Sequence, residues 1–250
     1  MKIILQISLM ILIVPGILLA SDTAYPLENG QRKMGVFQPR IYGMNNNIEI
    51  STHPLLFFVK PNIKIKKHHG EYNKIGMASR FSFDYPTPLL KLIQREGKFG
   101  ILSTDPDIGD IPNLFVFQGE LLVTKKSAAD YLLTGKAGLS ICPGCEIDNR
   151  HLLDLPLAYP RMLVYEKGLS TNIGLDFSYD FSEKISLKTD IDLFFILDKD
   201  VFVEDKFMIN YQFSPKYTLT GGVKLTQGTY PFGKQIDIFP LIDLSWNWEK

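Results

Sequence analysis

An all-β fold, an antiparallel barrel of about twelve strands (ten to fourteen), is the architecture this sequence predicts. Three observations lead there. Apolar and polar residues alternate with a period of two over long stretches, short polar turns join several of those stretches, and 17 Phe, 11 Tyr and 19 Gly against only 2 Trp lean toward strands over helices.

The chain has 250 residues, and its 27 Lys+Arg balance 27 Asp+Glu. No basic field is present to attract a phosphate backbone, so nucleic acid is not an expected partner. Residues 1–20 carry Lys2, an apolar run broken only by Gln6 and Ser8, and a small residue, Ala20, at the end. That is the pattern of a cleavable secretory signal peptide. Leu18 is larger than the usual residue three before the cut, and no Cys stands nearby to carry a lipid anchor. The alternative is a retained anchor, since about 18 apolar residues just span a bilayer. Beyond it the longest apolar run, residues 54–59, is too short to cross as a helix. Residues 21–250 are expected to form one domain.

The clearest strand covers residues 168–181, where Leu169, Thr171, Ile173, Leu175, Phe177, Tyr179 and Phe181 alternate with Gly, Ser, Asn and Asp. After Ser182-Glu183-Lys184 the pattern restarts with Ile185, Leu187, Thr189, Ile191, Leu193, Phe195 and Leu197, which predicts a hairpin of two long strands. Phe207, Ile209, Tyr211 and Phe213 continue it; Ser214-Pro215-Lys216 turns the chain into Tyr217, Leu219, Gly221, Val223 and Leu225. The last strand places Ile236, Ile238, Pro240, Ile242, Leu244, Trp246 and Trp248 on one face, with Phe239 and Leu241 making the other less polar. Earlier strands are read at residues 75–85, 115–123, 131–141 and 155–165. Between residues 31 and 69, Pro39, Pro54 and Pro61 interrupt the pattern, Asn45-Asn46-Asn47 reads as a turn, and Ile63 to Lys66 reads as a short edge. Residues 86–95, with Leu89, Leu90, Leu92 and Ile93, suit a short amphipathic helix, and residues 105–112 a loop.

Parity alone does not say which face is inside. Strands of about 10 to 14 residues match a tilted crossing of a hydrocarbon layer, and a face rich in Asp, Lys, Ser, Asn and Gly suits a hydrated lumen. At the ends joined by short turns, Tyr179, Phe181, Tyr211, Phe213, Tyr217, Trp246 and Trp248 share the apolar parity, as a girdle at lipid headgroups would. On the polar parity Arg80, Asp84, Gln118, Glu120, Lys136, Asp176, Asp180, Lys188, Asp190, Asp192, Asn210, Gln212 and Lys224 are candidates to line the interior. Paired across strands they make a salt-bridged plug; kept apart, a mixed-charge path for small solutes.

With its 180–184 and 213–216 turns and a final strand ending in aromatic Trp248, the chain resembles bacterial outer-membrane β-barrel proteins. The resemblance implies a transmembrane barrel in the outer membrane, in contact with its lipid, and a terminal strand similar to the signal read by the barrel-assembly machinery. Glu249 and Lys250 trail the aromatic, a departure from the usual ending. No substrate comes with the likeness. Counting strands back from a periplasmic C-terminus puts the 142–154 connection at the periplasmic rim, where it is longer than the turns expected there.

Cys142-Pro143-Gly144-Cys145 is the sharpest short motif, read as a structural disulfide or thiol pair. Glu146 stands where haem attachment needs His, and a metal site using His151 lacks a fourth ligand. No metal and no cofactor is expected. Ser51 and His53 would share a strand face and suit a barrel hydrolase only with an orienting third residue, which the sequence does not supply. His68-His69 reads as a solvated loop end. The expected function is a small-solute channel or structural barrel. The alternatives are an enzyme acting on lipid or envelope substrates through Ser51 and His53, and a soluble periplasmic barrel holding a small apolar ligand.

Overall fold

The structure, a computed structural model, describes residues 22–45, 47–94, 102, 110–127, 131–145, 147, 156–196, 201–231 and 233–248. The signal-peptide reading of residues 1–20, and with it His151 and Glu146, lies outside them. The strands are β1 (Arg32–Gly35), β2 (Arg40–Met44), β3 (Ile48–Thr52), β4 (Asn62–Tyr72), β5 (Ile75–Asp84), β6 (Val116–Lys126), β7 (Tyr131–Ile141), β8 (Leu169–Asp180), β9 (Ile185–Ile196), β10 (Phe202–Gln212), β11 (Tyr217–Tyr230) and β12 (Gly233–Trp248). Each pairs antiparallel with its chain neighbour, and β1 closes the circle on β12 through Arg32 opposite Trp248 and Gly35 opposite Ser245. The fold is therefore a closed antiparallel barrel. Closure satisfies backbone donors and acceptors between strands and removes the open edges that would recruit other chains.

The alternation orients the wall. Ile242 is 67% exposed and its neighbour Asp243 2%; Leu175 is 48% exposed and Asp176 3%. Apolar side chains point out and polar ones in, opposite to a soluble barrel built around an apolar ligand. Leu241, one of the two apolar residues on the inner face of β12, packs inside against Met208 and Phe37.

Among the described residues three short helices join the strands: α1 (Pro54–Phe57), α2 (Thr87–Ile93) and α3 (Tyr159–Lys167). The last corrects the strand expected at residues 155–165. Pro160 suits the first helical turn, where no amide partner is lost, and Gly168 adopts φ 72° to end the helix, its N–H on the Val164 carbonyl at 2.9 Å. The helix is buried on nearly all sides, so its sequence shows no helical stripe. Two smaller corrections concern β4, which runs on through His68 and His69 where a short edge and a loop end were expected, and the segment before the turn at 45–47, which divides into β1 and β2 and so makes up for the strand lost to α3.

One strand too many inverts the sidedness of everything before it. With α3 helical and β7 paired directly with β8, the strand ends joined through residues 73–74, 127–130, 181–184 and 213–216 gather at one end, the turn rim. Those joined through 53–61, 85–115, 142–168, 197–201 and 231–232 gather at the other, the loop rim. Ile141 and Leu169, the strand ends on either side of that connection, thus lie away from the short-turn end, and the conflict in the strand count disappears.

At the loop rim an apolar plug fills the barrel mouth. Leu89, Leu90 and Ile93 of α2 and Met162, Leu163 and Val164 of α3 pack with Phe194, Ile196, Phe202 and Tyr230 from the inner faces of β9 to β11. The disulfide Cys142–Cys145 belongs to the same cluster, and the Cys142 N–H donates to the Gly168 carbonyl at 2.8 Å, tying the turn to the end of α3. No helix among the described residues is long and apolar enough to cross a membrane. Leu163→Ala, at a fully buried position, is expected to cost about 2–5 kcal/mol in thermal melting of the refolded barrel. Faster amide exchange in residues 159–167 should accompany the loss, with the strand circular dichroism unchanged.

Candidate functional site: the plugged lumen

The inner face carries a chain of ion pairs that crosses from strand to strand. Lys136 on β7 donates to Asp190 on β9 at 2.8 Å and lies 2.8 Å from Asp176 and 2.9 Å from Asp192, contacts that are ion pairs without hydrogen-bond alignment. Lys206 on β10 takes the other Asp190 oxygen. Arg161 reaches down from α3 to Glu204 at 2.6 Å and to Asp192 at 3.8 Å, and its guanidinium sits 4.9 Å from the Phe194 ring centre. Lys224 meets the same Glu204 at 2.9 Å, both side chains fully buried. Arg80 joins Glu120, which accepts from Asn172 at 3.0 Å. In a region shielded from water, each charge is tolerable because an opposite one stands beside it.

A second component comes from the N-terminal segment. Asp22 pairs with Arg80 at 2.6 Å and donates its N–H to Asp176 at 2.7 Å; the Ala24 N–H donates to Thr124 at 2.7 Å, and Leu27 N–H to Glu49 at 3.0 Å. Lys66, paired with Glu49 at 3.1 Å, donates to the Tyr25 carbonyl. Residues 22–27 therefore thread the lumen, held by inward polar groups of β3 to β8. Gly43 marks the passage: a Cβ there would collide with the carbonyls of Leu27 and Glu28. Burial works to raise the Asp22 carboxyl, but Arg80, with Lys136 and Lys66, outweighs it and holds the group well below the ordinary carboxylate range.

The sequence-derived candidates sort by height. Arg80, Glu120, Asp176, Asp190, Asp192 and Lys224 belong to the ion network. Asp84 lies at the loop rim, 3.4 Å from Lys60. Lys188 and Asp180 border an open vestibule of about 1020 Å³ at the turn rim, with Asn210 and Gln212. Arg161, Glu204, Lys206 and Asp22 were missed. Arg161 was hidden by the strand misreading, Asp22 by its place next to the expected cleavage site, and Glu204 and Lys206 by a strand read as starting only at Phe207. One available signal was the unbroken apolar run Leu193-Phe194-Phe195-Ile196, which marks a strand end covered on both faces.

Tyr179, Phe181, Tyr211, Phe213, Tyr217, Trp246 and Trp248 all lie at the turn rim. Tyr179 and Phe181 meet at 4.8 Å, Phe213 and Tyr217 stack at 5.8 Å, and Trp246 and Trp248 at 6.0 Å. A second aromatic group, absent from the sequence reading as a unit, stands at the loop rim where Phe83, Tyr85, Phe115 and Phe117 come together across β5 and β6. Ser51 and His53 border one cavity, but no hydrogen bond joins them among the described residues. The His53 ring faces the Phe37 carbonyl at 3.4 Å through Nε2.

The class these features define is a closed antiparallel β-barrel with an ion-paired, occluded interior. No family model and no curated protein matches the chain. Among solved structures it is similar to the outer-membrane expressed OmpT of Vibrio cholerae, at 9% identity and a TM-score of 0.45, covering 84% of this chain and 64% of that one. It is also similar to a mutant of the Rh. blastica porin, at 12% identity and a TM-score of 0.32, covering 88% of this chain and 56% of that one. The chain thus spans less than two thirds of the length of either, and its architecture is read from its own strand ladder.

Glu204→Ala strands Arg161 and Lys224 without their shared carboxylate and is expected to cost about 3–5 kcal/mol in the thermal unfolding of the refolded protein. Gly43→Val is expected to displace the N-terminal segment, read as loss of amide protection at Ala24 and Leu27 with the β8 to β11 ladder still protected.

Proposed function

We propose that the chain is an outer-membrane barrel whose lumen is plugged at rest, serving as a structural barrel or a gated small-solute path and not as a constantly open porin. The observation that carries this reading is the pairing of an apolar outer wall with a lumen blocked twice over, by α3 at the loop rim and by residues 22–27 below it.

The outer wall supports the membrane half. Ile173, Leu175, Ile191, Phe207, Ile209, Leu219 and Val223 form a continuous exposed belt across β8 to β11, larger than a water-soluble surface ordinarily leaves uncovered. Strands β4 to β12 have 10 to 16 residues, enough for a tilted crossing that needs about 9–11. Aromatic groups stand at both ends of the belt, where amphipathic rings settle at headgroups. Short turns on one rim and long connections on the other match a barrel with its turn rim toward the periplasm. Lipid is then the principal partner, and the barrel-assembly machinery the partner during biogenesis.

Two measurements test the reading. In a planar bilayer, wild-type protein whose insertion is verified by heat-dependent gel mobility is expected to give no discrete conductance steps; regular steps from the unmodified chain would overturn the plugged lumen. Leu175→Arg, with a charge in the middle of the belt, is expected to cost about 2–4 kcal/mol and block insertion. Asp176→Asn should insert, since Lys136 keeps Asp190 and Asp192. Equal insertion of the two variants would refute the membrane assignment.

A further inference from the structure

Between the helical plug and the ion network lies a cavity of about 160 Å³. Its two sides differ in chemistry. Leu89 and Leu90 of α2, Met162 and Val164 of α3 and Phe194 of β9 form an apolar wall. The cationic and imidazole groups come from β3, β4 and the segment between them, as Ser51, His53, Lys60 and Lys64, with Asp84 of β5 beside Lys60.

The polar side is not satisfied by the protein. Lys60 has Asp84, but Lys64, half-buried and inward on β4, has no carboxylate within ion-pair distance among the described residues. His53 is 3% exposed, and its Nδ1 is buried without a hydrogen-bond partner. Arg161, which also borders the cavity, spends its terminal nitrogen on Glu204 while its Nε is buried without an acceptor. Burial pushes the His53 imidazole below its ordinary value, and the neighbouring Lys60 and Lys64 act in the same direction, so the ring is neutral near pH 7. With Nε2–H donating to Phe37, Nδ1 presents a lone pair.

In the ion network below, each cation stands beside a carboxylate; at this cavity, among the described residues, Lys64 has no carboxylate and the Arg161 Nε no acceptor. Unpaired polar groups in a shielded site lose their hydration without recompense unless something else supplies it. A bound anion does so for Lys64, an apolar body covers the α2–α3 wall, and a hydroxyl on that body finds an acceptor at His53. At about 10–15 Å³ of such space per water, the cavity holds a molecule of roughly a dozen non-hydrogen atoms or fewer.

We propose that this upper-lumen cavity is a binding site for a small monocarboxylate with a compact apolar body, its carboxylate on Lys64 and its body against Leu90, Met162 and Phe194. The site stands whether or not the barrel conducts, because it needs only the closed lumen.

The test is isothermal titration of the refolded full chain in detergent with 4-hydroxybenzoate, with protein-free micelles as the blank. Saturable binding at one site is expected, with 4-hydroxybenzamide, which lacks the charge, silent. Lys64→Met should weaken binding at least about tenfold, the loss of a charge-assisted contact, while Lys67→Gln, on the outward parity of the same strand, should leave it unchanged. Because Lys64 makes no ion pair among the described residues, Lys64→Met should keep the wild-type melting temperature; a lowered one would show a structural role and overturn the assignment. No saturable heat with wild type, equal binding of the amide, or undiminished binding by Lys64→Met would each overturn it as well. Saturable binding of inorganic phosphate at the same residues, with none of 4-hydroxybenzoate, would replace the carboxylate by a simple anion site and refute the apolar half.

Discussion

Charge pairing inside the barrel is the constraint on which the rest of this structure depends. A wall with apolar residues outside must carry its polar residues inside, and in a narrow cylinder those of opposite strands come within a few ångströms of one another. Lys136 illustrates the outcome, placed among Asp176, Asp190 and Asp192 from two other strands. Without those carboxylates its ammonium would be a buried unpaired charge, and without the ammonium three carboxylates would crowd together. The register of β7, β8 and β9 is therefore tied to the ion network, since a slip of one residue would turn every partner outward.

The two plugs use that network as an anchor. Helix α3 is attached above by apolar packing and below by Arg161, whose carboxylate partner Glu204 it shares with Lys224. The N-terminal segment is attached through Asp22, inserted between Arg80 and Asp176. Both plugs thus sit on groups belonging to the barrel wall, which couples movement of either to a rearrangement of charges in the lumen. At the cavity beneath α3 that pairing is incomplete among the described residues, with no carboxylate at ion-pair distance from Lys64 and no partner for the His53 Nδ1.

What was legible in the sequence follows from the range of the interaction concerned. The alternation in β8 and β9 is a property of neighbours along one strand, and it marks the outward face wherever both residues of each pair are free to follow their environment. Where an inner element covers the lumen side, as at Phe194 and Ile196, alternation gives way to continuous hydrophobicity and the strand loses its signature. The same covering disguised α3: a helix buried on nearly every side has no polar stripe, and its Pro160 and Gly168 punctuation was the remaining clue. The seven turn-rim aromatics were readable because they adjoin short turns. Those at the loop rim became a group only through pairing of β5 with β6 across a connection of some thirty residues.

The sequence by itself determined that the chain forms long antiparallel strands with one apolar and one charged face, because side-chain direction in a strand depends only on residue parity. Only the tertiary structure decided that the charged faces close on one another, that a helix and the N-terminal segment fill the space between them, and which carboxylate answers which cation. Those choices depend on distances across the barrel, between residues remote in sequence such as Asp22 and Asp176, 154 positions apart. Strand stagger and closure fix those distances, and no local pattern encodes them.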